Sequence, residues 1–558
     1  MMSQKLKILI LPFLVFFILG TYGQPASSYE IDRSGAAYYY FIQGLLQERE
    51  GKYQQAIESY QQALNYDSLR APLFVQLGVA YSLSGDIAQA IRQAQEAIKR
   101  DEKYIPSYFL YGSILIRQNK IKEAVPVYEK AVSLEPENQA ALFILGTLYV
   151  NIGNYSQAIE VLQKVCQLAP DQAEAYMSLA GAYLAIDKNK EAIATYGQVI
   201  KLAPENVMAY FGLAEAYERD KEYLQAIETY QQLIKLNPGN SLAQYRLGVL
   251  YYEQKEFIKS AEVFNKIEKK VADDLSVSSY FYLAAISEEQ KELKQAISYY
   301  ELSLQRLDQI STRQPLNQSQ AGAVLPAKSS IYLHLGYLYL QQKQPKKALK
   351  VMQEAIAADK NNLLLYYFLG VIYTDLKKYP EAIAAYKQSV ALKNEQGLRL
   401  GQAAKEPEID ELYFRLGVLY DQTGAFPQMV EAMKKAISYN SKNSQALNYL
   451  GYSYADRGKN LVESEEYLKK AVSLEPENGA FLDSLGWLYF RQEKYSEALE
   501  YLTKAVAYMK NDPVVLEHLG DAYAALLRTE EALQYWRQSL SANPQNKMLK
   551  RKIKEIQR

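Results

Sequence analysis

Residues 139–170 read QAALFILGTLYVNIGNYSQAIEVLQKVCQLAP, and this stretch decides the fold. Gly146 follows a leucine and precedes Tyr149 by three residues, and a second small residue, Ala158, lies twelve positions after the glycine. Apolar residues at this spacing predict two amphipathic helices joined by a short turn. Pro170, whose ring lacks an N–H, ends the second helix. The stretch therefore predicts one helical hairpin.

The hairpin pattern recurs along the chain with a period of 34 residues. The first small residue keeps strict register in seven units, at Gly44, Gly78, Gly112, Gly146, Ala180, Ala214 and Gly248. The signature Leu-(Gly/Ala)-x-x-Tyr occurs in eleven units. A single hairpin cannot bury its apolar face alone, so neighbouring hairpins must stack and share a continuous core. The pattern therefore predicts a tandem repeat.

These repeats resemble the tetratricopeptide repeat (TPR) family, and the resemblance covers nearly all of the chain after residue 36. It implies an all-α fold, a right-handed superhelical α-solenoid of about 14 TPR helical hairpins. The predicted segments are a signal peptide in 1–23, TPR block one (units 1–8) in 37–308, an insertion loop in 309–328, TPR block two (units 9–10) in 329–395, an insertion loop in 396–409, TPR block three (units 11–14) in 410–544 and a basic capping helix in 545–558.

The two insertions and the carboxyl end each allow two interpretations. The first insertion is rich in Gln, Ser, Ala and Pro, and the second contains Gly397, Gly401 and Pro407. Both compositions predict loops, either tolerated surface insertions or hinges between blocks. The carboxyl end predicts a basic amphipathic helix that caps the array, with contact to anionic lipid or glycan as the alternative.

The amino terminus predicts export from the cell. Lys5 and Lys7 precede an apolar run that ends near Leu19, and Thr21 and Gly23 place small residues where a signal peptidase would read them. We expect cleavage near Gly23 and a periplasmic or outer-membrane-associated mature protein. An uncleaved membrane anchor is the alternative, although the run is short for a membrane span.

Composition gives no sign of an enzyme. Lys plus Arg and Asp plus Glu are both 63, which offers no argument for a nucleic-acid partner. The two histidines, His334 and His518, lie in separate units and are interpreted as surface residues. No catalytic motif, phosphate-binding loop or metal-ligating cluster is present, so we expect no catalytic residue, cofactor or metal. The single cysteine, Cys166, is expected to be a buried thiol, and the fifty tyrosines are mostly packing residues.

The resemblance implies where a partner binds. In TPR proteins the first helix of each unit lines a concave groove through the second, fifth, ninth, twelfth and thirteenth positions of the unit. In this chain the fifth position is apolar in units 1–11. The partner-binding residues predicted from this column are Phe109, Phe143, Met177, Phe211, Tyr245, Phe281, Leu333, Tyr367 and Phe414. A polar groove end follows, predicted at Asn448, Asp483, Glu517 and Asp521.

An apolar column in a groove favours a helical or extended segment of a partner protein, and close packing on adjacent first helices is the alternative. The last hundred residues, with the sequence Leu482-Asp483-Ser484-Leu485-Gly486-Trp487, resemble a bacterial group of exported TPR proteins of the cell envelope. We therefore predict a non-enzymatic interaction scaffold of the envelope, with peripheral envelope association and no prediction of oligomeric state. An accessory subunit of a polysaccharide or glycan machine is the alternative function.

Overall fold

A computed structural model describes residues 28–268, 274–311, 325–396 and 407–557. Within these ranges the regular structure is entirely helical, and the helices come in successive pairs. The predicted signal peptide and the centres of the two predicted insertion loops, 312–324 and 397–406, lie outside the described residues. Fourteen helical hairpins and one terminal helix follow each other, which confirms the predicted all-α repeat fold.

Odd-numbered helices are the first helices of their units, and even-numbered helices are the second. Units 1–7 contain α1 (Ser28–Arg49), α2 (Tyr53–Tyr66), α3 (Ala71–Ser84), α4 (Ile87–Arg100), α5 (Ile105–Arg117), α6 (Ile121–Leu134), α7 (Gln139–Asn151), α8 (Tyr155–Leu168), α9 (Ala173–Ala185), α10 (Asn189–Leu202), α11 (Val207–Arg219), α12 (Tyr223–Leu236), α13 (Ser241–Glu253) and α14 (Phe257–Glu268). Units 8–14 contain α15 (Asp274–Glu289), α16 (Leu293–Ser311), α17 (Lys328–Gln341), α18 (Pro345–Ala358), α19 (Leu363–Asp375), α20 (Tyr379–Gln396), α21 (Ile409–Gln422), α22 (Phe426–Tyr439), α23 (Ser444–Asp456), α24 (Leu461–Leu474), α25 (Gly479–Arg491), α26 (Tyr495–Tyr508), α27 (Pro513–Ala525) and α28 (Thr529–Ala542). The terminal helix is α29 (Lys547–Ile556).

Asparagine side chains start many of the first helices. Asn138 accepts a hydrogen bond from the backbone N–H of Ala141 at 3.0 Å and so caps α7. The same cap recurs at the last position of other units, at Asn206, Asn240, Asn362, Asn443, Asn478 and Asn546, with Asp512 in the same role before α27. Each cap satisfies an N–H that the first turn of a helix leaves unpaired.

Every hairpin turns through a residue with positive φ at the fifteenth position of its unit. Five of these residues are glycines, such as Gly153 with φ 78°. Nine are other residues, including Asp187 with φ 57°, a run of lysines and Leu527 with φ 60°. The glycines reveal the turn in the sequence, whereas the other residues do not, because the left-handed conformation there is imposed by the packed helices on either side.

The small residue of the repeat lets the two helices of a hairpin touch. A Cβ atom placed on Gly112 would lie 2.3 Å from the ring of Tyr128, and one on Gly520 would lie 2.3 Å from the ring of Trp536. Both large side chains are buried, and they occupy position 24 of their units. The spacing of sixteen residues between glycine and large side chain therefore encodes the closest contact of the hairpin.

Tyrosines also form hydrogen bonds between successive repeat units. Gln163 on α8 donates to the hydroxyl of Tyr183 on α9 at 2.6 Å, and the hydroxyl of Tyr149 donates to Glu129 on α6 at 2.5 Å. The same bond recurs between position 25 of one unit and position 11 of the next at Gln61 and Tyr81, Gln231 and Tyr251, and Glu301 and Tyr339. Much of the unusual tyrosine content is therefore structural.

The chain forms two compact units, residues 1–263 and 264–558, and the boundary falls within α14. Both predicted insertions fall in the second compact unit, residues 264–558, and their interpretation as loops or hinges stays a prediction. Among the described helices, none combines the length and apolar character that a membrane span requires.

Candidate partner-binding groove

The first helices form the inner surface of each compact unit. In the first compact unit α3 contacts α5, α7 contacts α9 and α9 contacts α11. In the second, α17 contacts α19, α23 contacts α25 and α25 contacts α27. Across the described ranges no comparable contact joins the second helices of successive units. First helices therefore lie on the inside of the local curve, where a groove would form.

The apolar column predicted from position five lies along this surface and is partly covered. Tyr245 is buried, whereas the other eight predicted residues are half-buried. The ring of Phe109 meets Tyr128 edge-on at 5.6 Å, and Phe211 meets Tyr230 at 5.9 Å. These aromatic side chains pack on the second helix of their own unit and present only part of their surface to the groove.

A tyrosine below the column donates to an acidic side chain in three units. Tyr60 donates to Glu48 at 2.8 Å and Tyr230 donates to Glu218 at 2.6 Å, in each case from position 24 to position 12 of one unit. Tyr300 and Glu288 repeat the bond at 2.5 Å. Burial raises the pKa of Glu48 and of Glu218, although the tyrosine bonds oppose the rise. These carboxylates therefore lie at the inner surface but are half-buried.

Unit 3 keeps the tyrosine and lacks the acceptor. Tyr128 is fully buried, and its hydroxyl has no hydrogen-bond partner among the described residues. Position 12 of this unit is Ile116. Burial raises the pKa of Tyr128 well above its usual range. An unpaired buried hydroxyl costs about 1–3 kcal/mol, so unit 3 accepts a penalty that three other units avoid.

Basic side chains at position six face acids in several repeat units from unit 7 onward. Arg246 contacts Glu218 at 3.0 Å, and His334 contacts Glu288 at 2.8 Å while its ring stacks on Tyr300 at 5.0 Å. Further along, Arg415 pairs with Glu411 and lies over the ring of Tyr367. These pairs were not predicted from the sequence, although Arg or His recurs at the sixth position of units 7, 9, 11 and 14.

The interpretation of both histidines as surface residues is wrong for one of them. The side chain of His334 is 39% exposed, but His518 is buried. Nδ1 of His518 lies 3.0 Å from Oδ1 of Asp483, and its ring stacks on Trp487 at 4.1 Å. The imidazole is buried because the repeat places it between an acidic and an aromatic side chain of the preceding unit, a neighbourhood that residue type alone does not reveal.

The predicted polar groove end is largely paired within the chain. Lys552 of α29 lies 2.9 Å from Glu517 and 2.6 Å from Asp521, and Asp521 also accepts from the indole N–H of Trp536 at 2.9 Å. The buried Oδ1 atom of Asn448 has no partner among the described residues. The structure therefore brings Asp483, Glu517 and Asp521 into internal contacts, and α29 covers this end of the array through Lys552.

The terminal helix has the register of another first helix. Leu549 is fully buried at the position where other units bury Ala141 or Val515. Lys554 replaces the small residue of position eight, and it is exposed. A lysine at this position hinders the close approach of a second helix. The capping role of this helix, with contact to anionic lipid or glycan as its alternative, stays a prediction.

The remaining candidate chemistry is structural. The Cys166 thiol is buried, and burial raises its pKa to about 11, so it is a poor nucleophile at neutral pH. Trp487 stacks on Phe490 at 4.9 Å and on His518 at 4.1 Å. Within the described ranges no group of three or more His, Cys, Asp or Glu side chains could hold a metal ion.

Three solved structures illustrate the similarity to known proteins. YrrB, described as a TPR protein with an unusual peptide-binding site, is 21% identical, with a TM-score of 0.32, and the match covers 34% of this chain and 96% of YrrB. The C-terminal part of a TPR protein from Cytophaga hutchinsonii is 18% identical, with a TM-score of 0.38, covering 43% of this chain and 98% of that chain. A chain of the APC/C hetero-tetramer Cut9-Hcn1 is 16% identical, with a TM-score of 0.35, covering 95% and 99%.

Family models match the repeats directly. A model of the anaphase-promoting complex, cyclosome, subunit 3 matches residues 117–199 and 323–389. One tetratricopeptide repeat model matches 43–105, 177–230 and 222–275, and a second matches 419–551. The two tetratricopeptide repeat models together cover more than half of the sequence, and the chain belongs to the tetratricopeptide repeat family.

Proposed function

We propose that this protein is an exported, non-enzymatic scaffold of the cell envelope that binds a segment of a partner protein along its first helices. Tetratricopeptide repeats serve as protein–protein interaction modules, which supports the general class. The observation that carries the proposal is the half-buried apolar column at position five, which recurs from Phe109 to Phe414 on the inner helices. Side chains of this kind offer anchoring surface to a helical or extended segment.

The groove is tested by crosslinked affinity capture from envelope fractions with the full chain. The test variant replaces Phe143, Leu333 and Phe414 by Ser, and the control variant replaces Leu224 and Ile258 by Ser. The two control residues are each 72% exposed and lie on second helices. Circular dichroism establishes that both variants are folded. We expect the same partner to be crosslinked to the first helices of the parent and of the control, and lost from the test variant.

Equal capture by all three proteins would show that the inner surface is not the binding site. A partner crosslinked only to second helices would contradict the groove in the same way. Retention by the parent and the control alone supports it, since the control shows that the loss of exposed apolar side chains on second helices does not remove the partner.

The location is proposed from Lys5, Lys7 and the apolar run that follows them. Fusing residues 1–30 to alkaline phosphatase, which is active only outside the cytoplasm, tests export. Mass spectrometry of the amino terminus of the native protein tests cleavage near Gly23. An inactive fusion would contradict export, and an uncleaved chain in the membrane fraction would favour the anchor.

A further inference from the structure

We infer that units 2–5 form the section of the groove that takes an uncharged, apolar stretch of the partner polypeptide. The inference rests on the proposed function and specifies which part of the groove anchors the partner and by what chemistry. Two independent features of the first helices support it: the charge pattern of the inner surface, and the unpaired hydroxyl of Tyr128.

At positions five, six, nine and twelve units 2–5 carry no charged side chain. At the other two groove positions they carry Glu174 at position two and Arg117 at position thirteen, and Arg117 donates to Ser82 at 2.8 Å. Ile116, Phe143, Ile144, Val150 and Met177 are half-buried there, so part of each side chain faces solvent. At positions five, six, nine and twelve, charge begins on both sides of this section. Unit 1 has Glu48 at position twelve, and unit 6 has Glu215 and Glu218 at positions nine and twelve.

Tyr128 indicates that this apolar surface is selected at the expense of a hydrogen bond. In units 1, 6 and 8 the tyrosine at position 24 donates to a glutamate at position 12. Unit 3 has the same buried tyrosine, in the same contact with its glycine, but Ile116 stands where the glutamate would accept. A glutamate would satisfy the hydroxyl of Tyr128 and would place a carboxylate on the inner surface. The chain therefore keeps this surface apolar and leaves the hydroxyl unpaired.

The chemistry of the section selects its occupant. A charged residue of a partner would lose hydration against Phe143, Ile144 and Met177 without gaining a counter-charge, which is unfavourable. Leu, Ile, Val, Met or Phe side chains would instead bury apolar area on both partners. The charged residues that bound the section would receive the polar residues on either side of that stretch.

The test uses the glutamate that units 1, 6 and 8 carry at position 12. Ile116→Glu introduces the side chain that units 1, 6 and 8 carry at position 12, so Tyr128 gains an acceptor and we expect the fold to be retained. The control is Leu224→Glu, which adds the same charge at a site that is 72% exposed on the second helix α12, away from the inner surface. A displayed library of random 16-residue peptides is selected on the full chain, and enriched peptides are measured on all three proteins.

We expect the enriched peptides to be rich in Leu, Ile, Val, Met and Phe and poor in charge over their central residues. We expect Ile116→Glu to weaken them at least tenfold and Leu224→Glu to leave them unchanged. Enriched peptides with charged anchors, or equal binding to Ile116→Glu, would overturn the inference. If such peptides still lose binding when Leu333 and Phe414, which lie outside units 2–5, are replaced by Ser, the proposed groove stands and only the assignment to units 2–5 fails. No enrichment on the parent would contradict both.

Discussion

Units 3 and 14 pack their two helices in the same way. They differ in whether the polar group of the aromatic residue at position 24 has a hydrogen-bond partner. In unit 3 Gly112 packs on Tyr128, and in unit 14 Gly520 packs on Trp536 at the same separation. The Tyr128 hydroxyl has no partner in the described structure, whereas the indole N–H of Trp536 donates to Asp521. The glycine contact therefore belongs to the fold, while the neighbourhood of the aromatic side chain is free to vary with the surface that each unit presents.

The difference at the inner surface follows from this freedom. Unit 3 presents Ile116 and contributes to an apolar section, whereas unit 14 presents Glu517 and Asp521, which both form an ion pair with Lys552. In repeat proteins each unit contacts only its neighbours, so the packing of a hairpin and the chemistry of its inner surface can vary separately. Four predictions test how far that separation holds, beginning with the contact that both units share.

Replacing either glycine by valine should give the largest loss of stability. The added side chain at Gly112 or Gly520 would collide with a buried ring that has no free space, and we expect a cost of about 3 kcal/mol in each unit. Hydrogen exchange of α5 and α6 reports on the first substitution. Tryptophan fluorescence reports on the second, because both tryptophans, Trp487 and Trp536, lie in units 13 and 14.

The control for this prediction is Gly197→Ala. A Cβ atom at Gly197, inside α10, would have no atom within 4 Å, so alanine should stabilise the helix by about 0.5–1 kcal/mol. If Gly112→Val were as harmless as Gly197→Ala, the glycine contact would not be the shared basis of the two units.

Alkaline pH should act on unit 3 and on other units with a tyrosine at position 24. Burial raises the pKa of Tyr196 to about 12, and burial also raises that of Tyr386 to about 12, from 10.0 in each case. A raised folded-state pKa gives stability that is complete below pH 10 and is lost as the pH rises through 12. The loss is roughly 2–3 kcal/mol for each group.

Absorbance at 295 nm follows phenolate formation, and far-ultraviolet circular dichroism follows the helices. We expect a late class of tyrosines to ionise together with the loss of helix. Trp536 has no proton that ionises in this range, so the same contact in unit 14 is insensitive to this titration. Complete ionisation of the tyrosines with the helices intact would show that position 24 is more accessible than the structure indicates.

Removing the cation of α29 should weaken unit 14 alone. Lys552→Met leaves Glu517 and Asp521 without their counter-charge, and Asp521 is exposed over only 10% of its side chain. We expect a loss of about 2 kcal/mol, below the 3–5 kcal/mol of a fully buried pair, since Lys552 is one-third exposed. Tryptophan fluorescence during urea unfolding measures the loss, and Lys550→Met, an exposed site on the same helix, is the control. Equal effects would assign the loss to the general charge of α29.

The sequence predicts the repeat fold because its period, glycine positions and apolar spacing describe a contact that every unit makes locally. Gly146 and Ala158 identify a hairpin without knowledge of any other unit. The turn residues Asp187 and Leu527 were not predictable, since their backbone conformation is set by two packed helices and not by residue preference.

The candidate site was only partly predictable, because its chemistry depends on contacts between units. The residues at position five predict an apolar column, but the burial of Tyr245 depends on the side chains packed around it. The pairing of Asp483 with His518 joins residues 35 positions apart. The unpaired hydroxyl of Tyr128 becomes readable only when position 12 is compared with position 24 in every unit.

The finest test of the comparison is the matched pair Tyr128→Phe and Tyr230→Phe. In unit 3 the change removes a hydroxyl that has no partner, so stability should be unchanged or should rise by about 1 kcal/mol. In unit 6 the change removes the bond to Glu218, whose pKa burial raises, and stability should fall by about 1–2 kcal/mol. Hydrogen exchange of α5 and α11 measures both, each against the unmodified chain.

The sign of the first change carries the argument, because both substitutions delete the same atom from rings that occupy the same repeat position. Opposite effects would show that unit 3 bears a real cost at Tyr128, and a surface that imposes such a cost requires a use. A loss of stability in both units would mean that the Tyr128 hydroxyl has an acceptor, and Ile116 would then be ordinary packing. The apolar section would still be uncharged at positions five, six, nine and twelve, but one of the two reasons for assigning it to a partner would be gone.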